Sequence, residues 1–287
     1  MSDTTAWQPS SVELDRRAVR RRQGARSVLV SLASTVVFAV IVYLTVINTP
    51  GWSKVQQTFF DPATMVEAWP RVAQGFLLNL RVLLYASVGV LIFGTILATL
   101  RTLRGAIFFP LRTLATIYTD FFRGMPLIIV LYLVGFGIPG LQGRTGVIIP
   151  AEILGTIALV LTYSAYVSEV LRAGIESVHP SQRLAARSLG LSHAQSMRLI
   201  IFPQAVRKVT PALMNDFVSL QKDVGLISVL GAVDAVRAAG IETSHTFNYS
   251  PYVLAGLLFV LLAVPTIRLT DWYTARLRAR EQMGSIL

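Results

Sequence analysis

An all-α membrane protein, a bundle of six transmembrane helices, is the fold class this chain predicts. Three observations predict it. The 287 residues are 53% hydrophobic and only 14% charged, with a mean hydropathy of +0.59, too apolar for a soluble domain of that length. Apolar runs approaching the ~20 residues needed to cross a bilayer recur along the chain. The arginines gather in the short segments beside those runs, as the orientation of a membrane protein requires.

The elements follow in order. A basic tail, 1–26, carries Arg16, Arg17, Arg20, Arg21, Arg22 and Arg26 ahead of the first span and predicts a cytoplasmic N-terminus. The span itself, 27–48, is too long for a signal peptide, and Asn48-Thr49-Pro50 is not a small-residue cleavage site. An external loop, 49–74, is expected next, with Trp52, Phe59, Phe60 and Trp69 at the outer interface. The second span, 76–100, has Arg81 as its only charge.

Residues 113–122 read as an amphipathic helix on the inner surface that turns upward at Arg123-Gly124-Met125-Pro126. Gly124 and Pro126 are the hinge candidates there, because proline breaks a helix interior and glycine permits close approach. The apolar run 127–138 is short and needs residues upstream of Pro126 to complete a crossing. Runs 153–171, 212–230 and 252–269 supply the remaining spans. Six crossings return the C-terminal tail, 273–287 with Arg276, Arg278 and Arg280, to the inside, together with Arg101, Arg104 and Arg112. The external loops keep only Lys54, Arg71, Arg144 and Arg237.

Between the fourth and fifth spans lies a basic segment, 173–205. It reads as two short helices, 181–189 and 192–200, with a glycine joint. Ser181 is placed to cap the first, which carries Leu184, Ala185, Ala186 and Leu189. Gly190 supplies the left-handed residue that ends a helix at little steric cost. Ser192 with Gln195 forms a capping box for the second, which runs through Met197 and Leu199 toward Pro203. A water-exposed loop with apolar residues on one helical face suits docking into another protein. An interfacial amphipathic hairpin is the alternative.

The string LAARSLGLSHAQSMRLIIFPQA within that segment closely resembles the coupling loop of ABC importer permeases. Ala185, Ala186, Gly190, Ile201 and Pro203 match the family pattern, whereas Leu184 stands where glutamate is usual. The strings AYVSEVLRAGI, RGMPLIIVLYLVGFGIP and NDFVSLQKDVGL resemble the polar amino-acid uptake branch of that family, the histidine, glutamine and arginine permeases. Met125, Val130 and Val224-Gly225 depart from it. The resemblance covers about 75–272, which makes the helix at 27–48 an addition to a type I permease core formed by the last five spans.

The resemblance implies an ATP-driven importer of polar amino acids in a bacterial cell (inner) membrane, both termini cytoplasmic. Its partners would be a second permease subunit, identical or a paralogue, a cytosolic ABC ATPase dimer and an extracellular or periplasmic solute-binding protein. ATP and Mg would bind the ATPase, with no cofactor on this chain. Ser181, Gln182, Leu184, Ala185, Ala186, Leu189, Gly190 and Pro203 would form the surface that couples to the ATPase.

The chain contains no G-x-x-x-x-G-K-[ST], no G-x-S-x-G, no H-E-x-x-H and no cysteine, so phosphate-loop ATP hydrolysis and thiol chemistry are excluded. His179, His193 and His245 read as solvated loop residues. The net charge of +11 sits where membrane orientation needs it, so nucleic acid is not an expected partner.

Polar groups inside spans are more telling, since a charge near the bilayer centre costs ~2.5–3.5 kcal/mol even on the lenient scale. Tyr163, Ser164, Glu169, Asn215, Asp216 and Lys222 are the candidates for a substrate path. A carboxylate suits a substrate amino group, and Lys222 a substrate carboxylate. Glu169 and Arg172, three apart, share a helical face and can neutralise each other, while Asp223 suits pairing with Lys222 or the coupling region. The competing explanation is interhelical glue. A secondary transporter driven by an ion gradient would show broken helices in matching halves, and none is evident in the sequence. A scaffold protein would need no polar side on its fifth span.

Overall fold

The computed structural model describes residues 10–103, 105–142 and 148–284. Arg104 and Arg144, and the side chains of Arg17, Arg21, Arg22, Arg278 and Arg280, lie outside the described residues. The chain divides into two units between Gln57 and Thr58.

In the first unit, α1 (Ser11–Ile47) starts at Ser10, whose side chain accepts from the Glu13 N–H at 3.3 Å. The basic tail is therefore not separate from the first span, because from Ser11 the two are one helix. Between Ser11 and Ile47 there is no proline, and Gly24 alone is too weak a breaker to end a helix of good formers. Residues Arg26–Ile47 have a mean hydropathy of 2.4, and none is buried inside the structure.

The expected external loop is largely helical, which corrects the sequence reading. After α2 (Trp52–Phe59), Asp61 caps α3 (Pro62–Thr102), accepting from the Ala63 N–H at 3.1 Å and the Thr64 hydroxyl at 2.6 Å. Pro62 sits in the first turn, where its missing N–H costs nothing. At 1.5 Å per residue α3 spans about 60 Å, well beyond a hydrocarbon core of roughly 30 Å. The second span is thus the apolar part of a much longer rod. Along it α3 packs closely on the central helix α6 (Ala151–Glu176): a Cβ at Gly94 would lie 2.9 Å from Val167 Cγ1.

Helices α4 (Phe109–Gly124) and α5 (Leu127–Gln142) meet at 108°, at the expected elbow. Met125 is extended there (φ −99°, ψ 132°), as the residue before a proline prefers. After α6 come α7 (Pro180–Ser188), α8 (His193–Ser196) and a π-helical turn (Met197–Ile201), in which the Phe202 N–H donates to the Met197 carbonyl. Then follow α9 (Phe202–Asp223), a 3-10 stretch (Val224–Leu230), α10 (Ala235–Thr246) and α11 (Ser250–Gly284).

Four helices are long and apolar enough to cross a membrane, and six spans result when the α4/α5 and α9/α10 bent pairs each count as one. That matches the six predicted. The predicted fifth span, 212–230, is followed by a 51° bend into α10, and the crossing is counted from that bent pair. His245, expected in a loop, lies in the last turn of α10. The core of the second unit gathers Val82, Leu131, Leu159, Val224 and Ile227 around α6.

Candidate functional site

The coupling segment takes the local form its residues dictate. At the end of α7 Gly190 has φ +74°, its N–H donates to the Arg187 carbonyl at 2.9 Å, and Leu191 reaches back to Ala186 at 3.1 Å. This is the Schellman pair of hydrogen bonds, which glycine adopts without the Cβ penalty. Ser192 accepts from the Gln195 N–H at 3.2 Å while Gln195 Oε1 accepts from the Ser192 N–H at 2.9 Å, closing the predicted capping box. The cap of α7 is His179 rather than Ser181: its Nδ1 accepts from the Ser181 N–H at 3.2 Å. Pro180 fills the first helical position, so Ser181 already lies inside the helix.

Of the coupling residues, Ala186 is buried, while Ser181, Gln182, Leu184, Ala185, Leu189, Gly190 and Pro203 are exposed. Leu184 and Leu189 expose 63% and 77% of their surface, an apolar face with nothing from the described residues covering it. A cavity of about 370 Å³ opens beside it, lined by Pro180, Leu184, Arg187 and His193 among others.

The six path candidates do not form one cluster. Tyr163 and Asp216 line a cavity of about 210 Å³ between α3, α6 and α9, together with Ser87, Met214 and Phe217. The Tyr163 hydroxyl donates to Asp223 Oδ2 at 2.7 Å, and among the described residues Asp223 forms no ion pair with Lys222 or the coupling segment. Asp216 Oδ2 is buried and has no hydrogen-bond partner among the described residues. Ser164 is buried elsewhere, donating to the Leu161 carbonyl at 3.1 Å and facing Tyr118 Oη at 3.2 Å. Asn215 and Lys222 are exposed on α9.

Glu169 sits in a charged node. Its carboxylate meets Arg172 at 2.5 Å, Arg101 at 2.8 Å and Arg123 at 3.7 Å, tying α6 to the end of α3 and to the elbow. The Arg172 partnership follows from helical spacing, but Arg101 and Arg123 come from distant segments. Gly124, with open space around its Cα, and Pro126 sit at that elbow.

A second buried polar group was missed in the sequence. Asn79 donates to Asp234 Oδ2 at 3.0 Å and to the Val224 carbonyl at 3.1 Å, and accepts from the Ala235 N–H at 3.0 Å. Asp234 caps α10, accepting from the Arg237 N–H at 2.9 Å. Both side chains are fully buried. An aspartate followed by a helix-forming run is a start signal that could have located α10. This knot pins the broken part of the fifth span to α3.

Residues 91–279 match the family described as binding-protein-dependent transport system inner membrane component. An arginine transport system permease protein of Bacillus subtilis (strain 168) is 33% identical over 205 residues, covering 71% of this chain and 91% of that protein. A probable glutamine ABC transporter permease protein of the same organism is 33% identical over 192 residues, covering 67% of this chain and 86% of that protein. Among solved structures, a crystal structure of an amino acid ABC transporter with histidines is similar, with a TM-score of 0.67 and 34% identity. It covers 75% of this chain and 98% of its own.

Proposed function

The chain belongs to the family of binding-protein-dependent transport system inner membrane components, and from that membership we propose that it is the permease through which an ATP-driven importer moves amino acids. The cargo follows from one observation above all: the unpartnered carboxylate oxygen of Asp216 in a cavity walled by Tyr163, Met214 and Phe217. A buried acceptor of that kind suits the ammonium group of an amino acid, which would satisfy it. The arginine and glutamine permeases similar to this chain support the same cargo class.

The family implies an ATPase and a solute-binding protein as partners. Hydrolysis then takes place on an ATPase dimer that carries ATP and Mg, docked on the exposed Leu184 and Leu189 face. A second permease subunit, identical or homologous, packs beside this one in a bacterial inner membrane, both termini cytoplasmic. The exposed Asn215 and Lys222 line water between the paired subunits. ATP binding closes the ATPases, α7 and α8 move with them, and the bundles tip from inward-facing to outward-facing. Only contacts that differ between the two states can drive that change, so the docked face is a thermodynamic requirement.

Co-reconstitution with the ATPase and the solute-binding protein tests this, using ATP-dependent uptake of basic, acidic and amide amino acids. Asp216→Asn should lower uptake about tenfold or more at unchanged abundance, the worth of one hydrogen bond to a charged group. Wild-type uptake that ran on an ion gradient without ATP would overturn the importer assignment. Wild-type uptake by Asp216→Asn would remove Asp216 from the cargo site alone.

A further inference from the structure

At the end of the bundle nearest the coupling segment, α3, α4 and α6 border an open cavity of about 340 Å³ lined by Arg101, Arg112, Arg172, Thr113, Thr116 and Glu176. Neither the cargo cavity nor the docking face uses it. The charges there do not balance. The lining sets Arg101, Arg112 and Arg172 against Glu176, and Arg101 and Arg172 also pair with Glu169, three cations against two carboxylates among the described residues.

Arg172 is shared between Glu169 and Glu176, and Arg123 lies at 3.7 Å from Glu169. Arg101 spends one terminal nitrogen on Glu169, yet its side chain is only 8% exposed and its Nε has no partner among the described residues. Arg112 makes no ion pair among the described residues. It donates to the Leu103 carbonyl at 3.3 Å and lies over the Phe109 ring at 5.7 Å. A partly buried guanidinium pair with surplus charge is a ready site for a phosphate, because the planar fork matches its oxygens.

The surroundings identify the carrier of that phosphate. Ile117 lines the same cavity, and with Leu114 and Phe121 it forms an exposed apolar stripe along α4, at spacings of three and four. A basic pocket opening onto an apolar stripe at the end of a span fits a phospholipid, headgroup in the pocket and chain along the helix. We propose that this cavity binds the headgroup of an anionic phospholipid from the leaflet on the coupling side.

The test uses the full chain purified in mild detergent and native mass spectrometry. The probes are dioctanoyl phosphatidylglycerol, dioctanoyl phosphatidylcholine and inorganic phosphate. Phosphatidylglycerol should bind several-fold more tightly than phosphatidylcholine. Arg112→Ala should weaken it about fivefold, the worth of one cation near a membrane surface, and Arg112→Lys, which keeps the charge but not the fork, should bind between the alanine variant and wild type. Removing Arg112 strands no carboxylate, so the fold should survive. Arg276→Ala serves as the surface-charge control, since Arg276 borders a different cavity with Arg207 near the start of α9, and it should change nothing. Equal losses from Arg112→Ala and Arg276→Ala, or no loss from Arg112→Ala, would overturn the site. Displacement of phosphatidylglycerol by low-millimolar inorganic phosphate would overturn the lipid and leave a soluble anion in its place.

Discussion

At the scale of single residues, Glu169 and Asp216 are the informative contrast. Both are carboxylates inside spans, yet Glu169 has three arginine partners and Asp216 has an oxygen with none among the described residues. Glu169→Gln removes the charge that holds α3, α6 and the elbow together and leaves partly buried cations facing each other. Breaking such a pair costs roughly a few kcal/mol, discounted here because the Glu169 side chain is 22% exposed. The expected result is lower abundance and earlier thermal unfolding, with the uptake rate per molecule close to wild type for every cargo. Quantitative immunoblotting beside normalised uptake checks this. A normal abundance with a lost rate for cationic cargo would place Glu169 in the path after all. Helical spacing made the Arg172 partner legible in the sequence. Arg101 and Arg123 were not legible as partners, because only packing of distant segments brings them to one carboxylate.

At the scale of elements, the coupling segment was readable almost to the residue because its signals are local. A glycine at a helix end and a Ser-x-x-Gln box depend on the chain's own backbone, and both formed as expected. The shift of the α7 cap from Ser181 to His179 came from Pro180, which prefers the first helical position. Gly190→Val should uncouple transport from ATP hydrolysis while sparing membrane insertion, since valine strongly disfavours φ +74°. With open space around Gly190, the effect is conformational rather than steric. Comparing ATPase and uptake rates in one proteoliposome preparation measures it, and unchanged coupling would show that the joint can relax elsewhere. The long rod α3 was harder to read: Asp61-Pro62 is a helix start, but Pro70 inside the helix and a mixed polar surface masked it.

At the scale of the whole molecule, hydropathy and arginine placement were enough for the number of spans, because both act through the solvent rather than through any particular contact. The breaks in the third and fifth spans were legible only where proline marked the first of them. The second depends on Asn79 reaching across to Asp234, a contact between residues 155 positions apart. Orientation yields a prediction of its own. With Arg16, Arg20 and Arg26 ahead of the first apolar run, a reporter active only outside the cell should stay silent when fused to the N-terminus. A strongly active fusion on the native chain would invert the threading.

The π turn at Met197–Ile201 takes up an extra residue without passing its rotation on to the helix that follows. It holds one residue more than an α-helical turn would, and each residue of a helix rotates the rest by about 100°. The wide turn takes up that surplus locally, so Asp216, some fifteen positions downstream, faces α6 at the azimuth the helix would have without it. Deleting one residue within 197–201 should let that turn revert to ordinary α geometry and leave Asp216 almost where it was. The same deletion farther along α9, between Ala205 and Asp216, has no surplus to absorb it and should turn the carboxylate out of its cavity. Uptake by the two deletion variants measures the difference, and equal losses would show that the turn does not take up the surplus residue. The turn acts as a slack joint, keeping the proposed cargo cavity in phase with the segment expected to meet the ATPase.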